Sequence, residues 1–274
     1  MIRRCTGFAI AAALAFAAPA TACDAPSSLA AMAPALVRSA ARVIEGQPLT
    51  IVAFGSSSTR GVGASQPQLN YPNRLEAELR RRFPRSDIEV VNRGKGGEDV
   101  GEEVQRLETD VIAQHPELVV WQLGTNAVLR RDDLAADADS MRRGIARLKE
   151  TGADVILMDL QSAPRVLERP SYGAMETLLA DTAQELGVGL FRRFALMQHW
   201  QHAQPADAPA LIGPDGLHMT DLSYGCLAVA LADSLEANWG MEQKIGERVR
   251  VAADVTAAVS PAGQQAAAGI NAHR

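Results

Sequence analysis

The chain has 274 residues, of which 47% are hydrophobic and 22% charged, with a net charge of −5, 5 histidines and 3 cysteines. This composition excludes an intrinsically disordered chain, which would be poor in apolar residues, and a small domain dense in disulfides. The acidic balance argues against a nucleic-acid partner, because backbone recognition needs a basic face.

The chain opens with Arg3 and Arg4, continues through an apolar run from Phe8 to Ala18, breaks at Pro19, and reaches the small residues Ala20-Thr21-Ala22. That order is the pattern of a secretory signal peptide, expected over residues 1–22. The run falls short of the about 20 residues that a spanning helix requires, and no later stretch reaches that length. Export, to a periplasm or beyond, is therefore expected, with no membrane span. Cleavage after Ala22 would remove Cys5 and leave Cys23 and Cys226. Three states are open to Cys23: an acylated first residue of lipoprotein type, a bridge to Cys226, or a free thiol. Ala20 is a poor match to the bulkier residue usual before an acylated cysteine. Cys226 lies in an apolar helix pattern where a free buried thiol is common. The reading favours free, non-essential thiols.

Residues 23–47, rich in Ala, Ser and Pro, are expected to form an extension with one loosely attached helix. Strand and helix then alternate. Leu49 to Phe54 is a short apolar run ending at Gly55, which suits a buried strand. Leu75, Leu79 and Phe83 recur at steps of four and predict a helix over 72–83. Its Arg80, Arg81 and Arg82 read as a solvated face. Further strands are expected over 88–91, 118–123, 155–158 and 188–191. Helices are expected over 100–111, 134–149, 172–186 and 222–235. Trp121, on a strand, is expected in the core. Residues 239–274 end in an Ala-rich tract and are expected to fray.

Near-continuous apolar strands alternating with helices predict an α/β fold whose parallel sheet is covered on both faces, formed by residues 48–238. Ligands in such sheets bind beyond the carboxyl ends of the strands. The loops there hold Phe54-Gly55-Ser56-Ser57-Ser58-Thr59, Asn92-Arg93-Gly94-Lys95-Gly96-Gly97-Glu98 and Gly124-Thr125-Asn126-Ala127. A fourth loop, before the last helix, holds Asp215-Gly216-Leu217-His218. Taken singly, each is compatible with an ordinary turn or cap. No Gly-Lys-Ser/Thr closes the first loop, so it is not a phosphate loop, and Thr59 breaks the G-x-S-x-G elbow. The second lacks the third glycine of a dinucleotide fingerprint, with Asp99 in its place. An Asp three residues before a His can orient the imidazole. Gln161 and Arg165, after the fourth strand, read as a solvent-exposed loop that could line a pocket. His199 and His202 lack the spacing of a metal site.

Together, in this order and spacing, FGSSST, NRGKGGE, GTNA and DGLH resemble the four blocks of the SGNH (GDSL-type) hydrolases, over about residues 49–236. The resemblance implies a flavodoxin-like three-layer α/β/α sandwich and a serine esterase site with no metal or organic cofactor. By position, Ser57 matches the nucleophile, His218 the base and Asp215 its orienting acid. Gly97 and Asn126, with the Ser57 amide, match the oxyanion donors. Ser56 and Ala127 depart from the family pattern, each standing where an acid is usual. The implied activity is cleavage of carboxylic esters, with a small ester or an acylated glycan as substrate. Short acyl chains are expected, because no loop carries a long apolar stretch to line a deep tunnel. Transfer or removal of acyl groups on cell-envelope glycans is the nearest alternative, and an inactive glycan-binding module is a more distant one. Oligomeric state is not readable from the residues.

Overall fold

The computed structural model describes residues 23–130 and 133–259, with side chains described up to residue 240. The expected signal peptide and the last part of the expected tail lie outside the described residues. The first segment carries helices α1 (Ser27–Ala30) and α2 (Val37–Glu45). Five parallel strands follow: β1 (Leu49–Gly55), β2 (Ile88–Gly94), β3 (Leu118–Gln122), β4 (Asp154–Met158) and β5 (Gly189–Phe191). Helix α3 (Ser57–Arg60) is a single turn after β1, and α4 (Tyr71–Arg82) leads to β2. Between β2 and β3 lie α5 (Val100–Gln105) and α6 (Leu107–Asp110); between β3 and β4, α7 (Thr125–Arg130) and α8 (Leu134–Glu150). Next come α9 (Pro164–Leu167) and α10 (Tyr172–Leu186) before β5, then α11 (Arg193–Ala203) and α12 (Asp221–Val259).

The sheet order is β2-β1-β3-β4-β5, the flavodoxin-like order. Side chains alternate across a strand, so each strand feeds two cores. Ile51, Ala53, Leu118, Val120, Ile156 and Met158 face α2, α4 and α12. Val52, Phe54, Val119, Trp121, Val155 and Leu157 face α5, α8 and α10. Trp121 is fully buried, as expected, and Gly144 makes room for it: a Cβ there would lie 2.3 Å from the indole ring. The chain leaves β1 for β2 on one side and reaches β3 on the other. The reversal opens a crevice at the carboxyl ends of β1 and β3, where Ser57 and Asn126 follow.

Four expectations need correction. The helix expected over 100–111 is broken between α5 and α6, at Arg106, whose guanidinium is drawn into the loop network described below. The last helix runs to Val259, well past Leu235. Arg82 is not solvated; its side chain is 11% exposed and bonds Asp233 and Glu236 of α12 at 2.6 and 2.9 Å. The extension over 23–47 is closely attached. Met32, Leu36, Ala40 and Val43 are buried in the core, and the Asn238 side chain binds the Leu36 amide and the Met32 and Pro34 carbonyls at 2.8–3.1 Å.

That attachment also overturns the expectation of free thiols: Cys23 and Cys226 form a disulfide, with Cα atoms 4.8 Å apart. The approach depends on contacts distant in sequence, such as the Trp200 Nε1 bond to the Asp24 carbonyl, so local patterning around Cys23 did not reveal it. The bridge closes a separation of 203 residues. Removing a native bridge typically costs about 2–5 kcal/mol. Cys226→Ser should lower unfolding free energy by that order in urea titrations under oxidising conditions. Thiol titration of the unfolded, unreduced chain lacking residues 1–22 should find no free thiol, and two after reduction.

Candidate active site

Ser57 begins α3, directly after the strand–turn Phe54-Gly55-Ser56. The turn is held from below by Gln122, the last residue of β3. Its Oε1 accepts from the Ser56 amide (3.1 Å), Ser56 Oγ (3.0 Å), Ser58 Oγ (2.9 Å) and Thr59 Oγ1 (3.3 Å). Gly55 is required here because a Cβ would fall 2.7 Å from Thr59 Oγ1 and 2.9 Å from Gln122. Ser56, where the family pattern has an acid, is therefore a donor to Gln122. Ser58 Oγ in turn accepts from Arg193 Nη1 at 2.9 Å.

Arg193 is fully buried, and its Nη2 donates to the Asp159 carbonyl at 2.5 Å. Burial pushes Arg193 down to about 10 and Asp159 up to about 7; the Phe194 amide and Arg193 pull the Asp159 carboxyl back only in part. Tyr71, whose hydroxyl meets Thr59 Oγ1 at 3.3 Å, is pushed up to about 12 by burial.

The loop after β2 crosses above Ser57: an ideal Cβ on Gly96 would sit 3.8 Å from Ser57 Cβ. Arg106 fixes that loop to β1. Its guanidinium donates to Glu98 Oε2 (2.6 Å), the Arg93 carbonyl (2.9 Å), Asp110 Oδ2 (2.9 Å) and the Gly55 carbonyl (3.1 Å), and lies 4.4 Å from the Phe54 ring centroid. Gly97 adopts φ +86° with open space where a Cβ would be, so the backbone at the loop crest is bare. Arg130 donates to the Gly97 carbonyl and to Asp99. Asn126, in the first turn of α7, donates one Nδ2 hydrogen to the Glu98 carbonyl at 2.8 Å. A carboxamide nitrogen carries two hydrogens, so one is left for a ligand.

The fourth loop meets the first. His218 Nε2 lies 3.0 Å from Ser57 Oγ, and His218 Nδ1 lies 2.5 Å from Asp215 Oδ2. Asp215 Oδ1 accepts the Leu217 and His218 amides, both at 3.0 Å, which wraps the Gly216 turn around the carboxylate. Partial burial opposes ionisation of Asp215. The ring N–H of His218 and these two amides outweigh it and hold the carboxyl at about 2. An ionised carboxylate only accepts, so Nδ1 carries the hydrogen in the neutral ring. Nε2 is left to accept from the Ser57 hydroxyl.

Ser57, His218 and Asp215 thus form one hydrogen-bonded line, and Gly97 and Asn126 belong to the loops beside it. Such a line can deprotonate a hydroxyl and return the proton. His199 and His202 lie on α11, and no cluster with metal-ligand character occurs among the described residues. Gln161 corrects an expectation: it is 1% exposed, not part of an exposed loop. Its Oε1 accepts from Thr125 Oγ1 (3.4 Å) and its Nε2 donates to the Leu217 carbonyl (3.2 Å). It clasps the neighbour of Asn126 to the neighbour of His218. Gln122, Arg106, Arg193 and Asp159 carried no motif in the sequence. A polar Gln inside the apolar run Leu118 to Leu123 was the one available signal.

The Asp159 carboxyl makes a prediction. In the fold it stays protonated up to about pH 7, whereas an unfolded Asp ionises near pH 4. Between those values the folded chain binds the extra proton, so stability falls as pH rises through that window and levels off above it. Asp159→Asn should flatten the slope by up to about 1 kcal/mol per pH unit, read from urea midpoints between pH 5 and 7.

Among known proteins, an uncharacterised lipoprotein of Bacillus subtilis (strain 168), YqeF, is 24% identical over 208 residues, covering 62% of this chain and 82% of that one. A two-domain esterase active on acetylated mannans superposes with a TM-score of 0.60 at 20% identity over 73% of this chain. The present chain spans about half of that protein's length, 52%. TesA superposes with a TM-score of 0.59 at 22% identity, covering 69% of this chain and 99% of its own. An acetyl xylan esterase of Geobacillus stearothermophilus, in a variant form, gives 0.57 at 22% identity, covering 68% and 94%. At these identities the likeness establishes the α/β fold. Residues 22–239 match the model of the non-GDSL lipase-like family, and the chain belongs to that family.

Proposed function

We propose that the chain is an SGNH-type serine hydrolase that cleaves carboxylic esters through an acyl-enzyme. The observation that carries this reading is the hydrogen-bonded line from Ser57 Oγ through His218 to Asp215, at 3.0 and 2.5 Å, in the crevice of a parallel sheet. In the first half-reaction Ser57 Oγ attacks the ester carbonyl carbon and its proton passes to His218 Nε2. The carbonyl oxygen becomes an oxyanion, for which the Ser57 and Gly97 amides and the second Nδ2 hydrogen of Asn126 are the donors. Collapse breaks the bond to the alcohol oxygen, which leaves with the proton from Nε2. Water repeats the sequence on the acyl-enzyme and releases the acid. Asp215, ionised throughout the working range, stabilises the imidazolium formed in both halves.

Acetylated polysaccharide is the favoured substrate class, on the analogy of the structural neighbours named as esterases of acetylated mannan and xylan. Export is part of the same proposal. YqeF is named a lipoprotein, and a disulfide persists in oxidising compartments. No helix among the described residues is long and apolar enough to cross a membrane. The bridge uses the Cys23 sulfur, so bridging and lipid attachment at that atom exclude one another.

Ser57→Ala should abolish both ester turnover and labelling by a fluorophosphonate; turnover that survives this change would sink the reading. Asn126→Ala should lower kcat by about 10²–10³ with little change in KM, since the donor acts chiefly in the transition state. The rate should fall on acidification as the imidazole protonates. Because Asp215 stays ionised down to about pH 2, that limb belongs to His218. Asp215→Asn should shift this limb, whereas an unmoved limb would separate Asp215 from the base.

A further inference from the structure

We propose that the depression lined by residues 60–67 is the subsite for the alcohol half of the substrate, and that Arg60 there selects an alcohol half bearing a negative charge, such as a carboxylated sugar. The inference rests on the esterase reading above and names its substrate class more narrowly.

Arg60 stands one helical turn after Ser57, at the end of α3, and so shares its face. The ideal Cβ position on Gly96 lies 3.8 Å from Ser57 Cβ and 3.9 Å from Arg60 Nη1, so the guanidinium and Ser57 border the same glycine turn. After Arg60 the chain turns at Gly61 (φ +97°) and Gly63 (φ +94°). Gly63 lies against the other partner: a Cβ there would be 3.0 Å from His218 Cβ. The segment from Arg60 to Pro67 lines a depression of about 490 Å³, which begins three residues after Ser57 and includes the Gly63 backbone packed against His218.

Its wall is held in place. Tyr224 donates to the Val62 carbonyl at 2.7 Å, and Ser65 donates through its amide and hydroxyl to Asp221 at 2.8 and 2.6 Å.

Direction follows from the chemistry. The imidazole returns its proton to the departing oxygen, so the alcohol half leaves on the His218 side. The carbonyl oxygen points instead to the loops of Gly97 and Asn126. The depression on the His218 side therefore receives the alcohol half.

Charge follows from a comparison of neighbouring cations. Lys95 is bound to Glu98 at 2.7 Å, Arg106 to Glu98 and Asp110, and Arg130 to Asp99 and Glu102. Arg60 makes no ion pair among the described residues and is exposed to the depression. An arginine is a permanent cation whose planar fork matches a carboxylate. In a chain of net charge −5, a cation without a carboxylate beside the nucleophile favours an anion at that point over the surrounding surface.

The test compares two acetyl esters, para-acetoxybenzoate and its uncharged methyl ester, on wild type, Arg60→Gln and Arg60→Lys. The quantity read is the ratio of kcat/KM for the anionic over the neutral ester. Comparing that ratio between variants cancels the difference in leaving-group reactivity and any general loss of activity. Arg60→Gln should lower the ratio about tenfold, mainly through KM for the anionic ester, because the contact exists in ground and transition states alike. Arg60→Lys should retain part of the preference. Raising the salt from about 0.02 to about 0.5 M should erode the wild-type ratio by screening. A ratio in Arg60→Gln within twofold of wild type overturns the subsite, whereas equal turnover of both esters by Ser57→Ala overturns the parent reading and this one with it.

Discussion

The carboxamide oxygen of Gln122 is the point on which the candidate site depends. It sits at the end of β3, in the middle of the sheet, and receives four donors from the turn after β1. A buried hydroxyl without a partner costs about 1–3 kcal/mol, so a turn carrying three hydroxyls and a strained glycine forms only around such an acceptor. The demand is reciprocal. Ser56, Ser58 and Thr59 all turn inward to Gln122, and this leaves Ser57 as the hydroxyl that points out to His218. Which serine faces His218 is set by which serines have an acceptor beneath them.

Around that point the loops are tied in pairs rather than to a common hub. Arg106 joins β1 to the glycine loop, and Asn126 joins the glycine loop to α7. Gln161 joins α7 to the loop of His218, and His218 returns to Ser57. The four blocks thus form a closed ring of hydrogen bonds above the carboxyl ends of the strands. Such a ring resists relative movement of its members, which suits chemistry that needs donors in place before charge develops. Arg193 supports it from below as a buried cation directed at Ser58 and a backbone carbonyl. A cation withdrawn from water there is costly unless its hydrogens are used, and two of its nitrogens are.

The N-terminal segment and α12 form the outer layer on one face. Asn238 accepts and donates across that contact, Trp200 binds the Asp24 carbonyl, and the Cys23–Cys226 bridge closes it. The same α12 carries Asp221 and Tyr224, which hold the segment from Val62 to Ser65. Helix α12 therefore links the covalent closure of the N-terminus to the segment that follows α3.

Hydrophobic periodicity alone determined the strand–helix alternation, the parallel sheet and the buried place of Trp121, because burial on both faces leaves apolar runs that composition cannot disguise. The residues of the four motifs were legible too, since turns at strand ends are written in Gly, Ser, Asn and Asp. What remained illegible shares one physical cause: it depends on partners far apart in the chain. Gln161 reads as an exposed loop residue from its local sequence, but its two bonds span 36 and 56 residues. Arg82 reads as solvated from its helix alone because its carboxylates lie about 150 residues away, on α12. The cysteines read as free from the sequence because a bridge needs Cα atoms brought close, and tertiary contacts such as the packing of Met32 and Leu36 and the Trp200 bond to Asp24 do that. Polar side chains carry no periodic signature, so the tertiary structure alone decided which of them became buried supports of the site and which stayed at the surface.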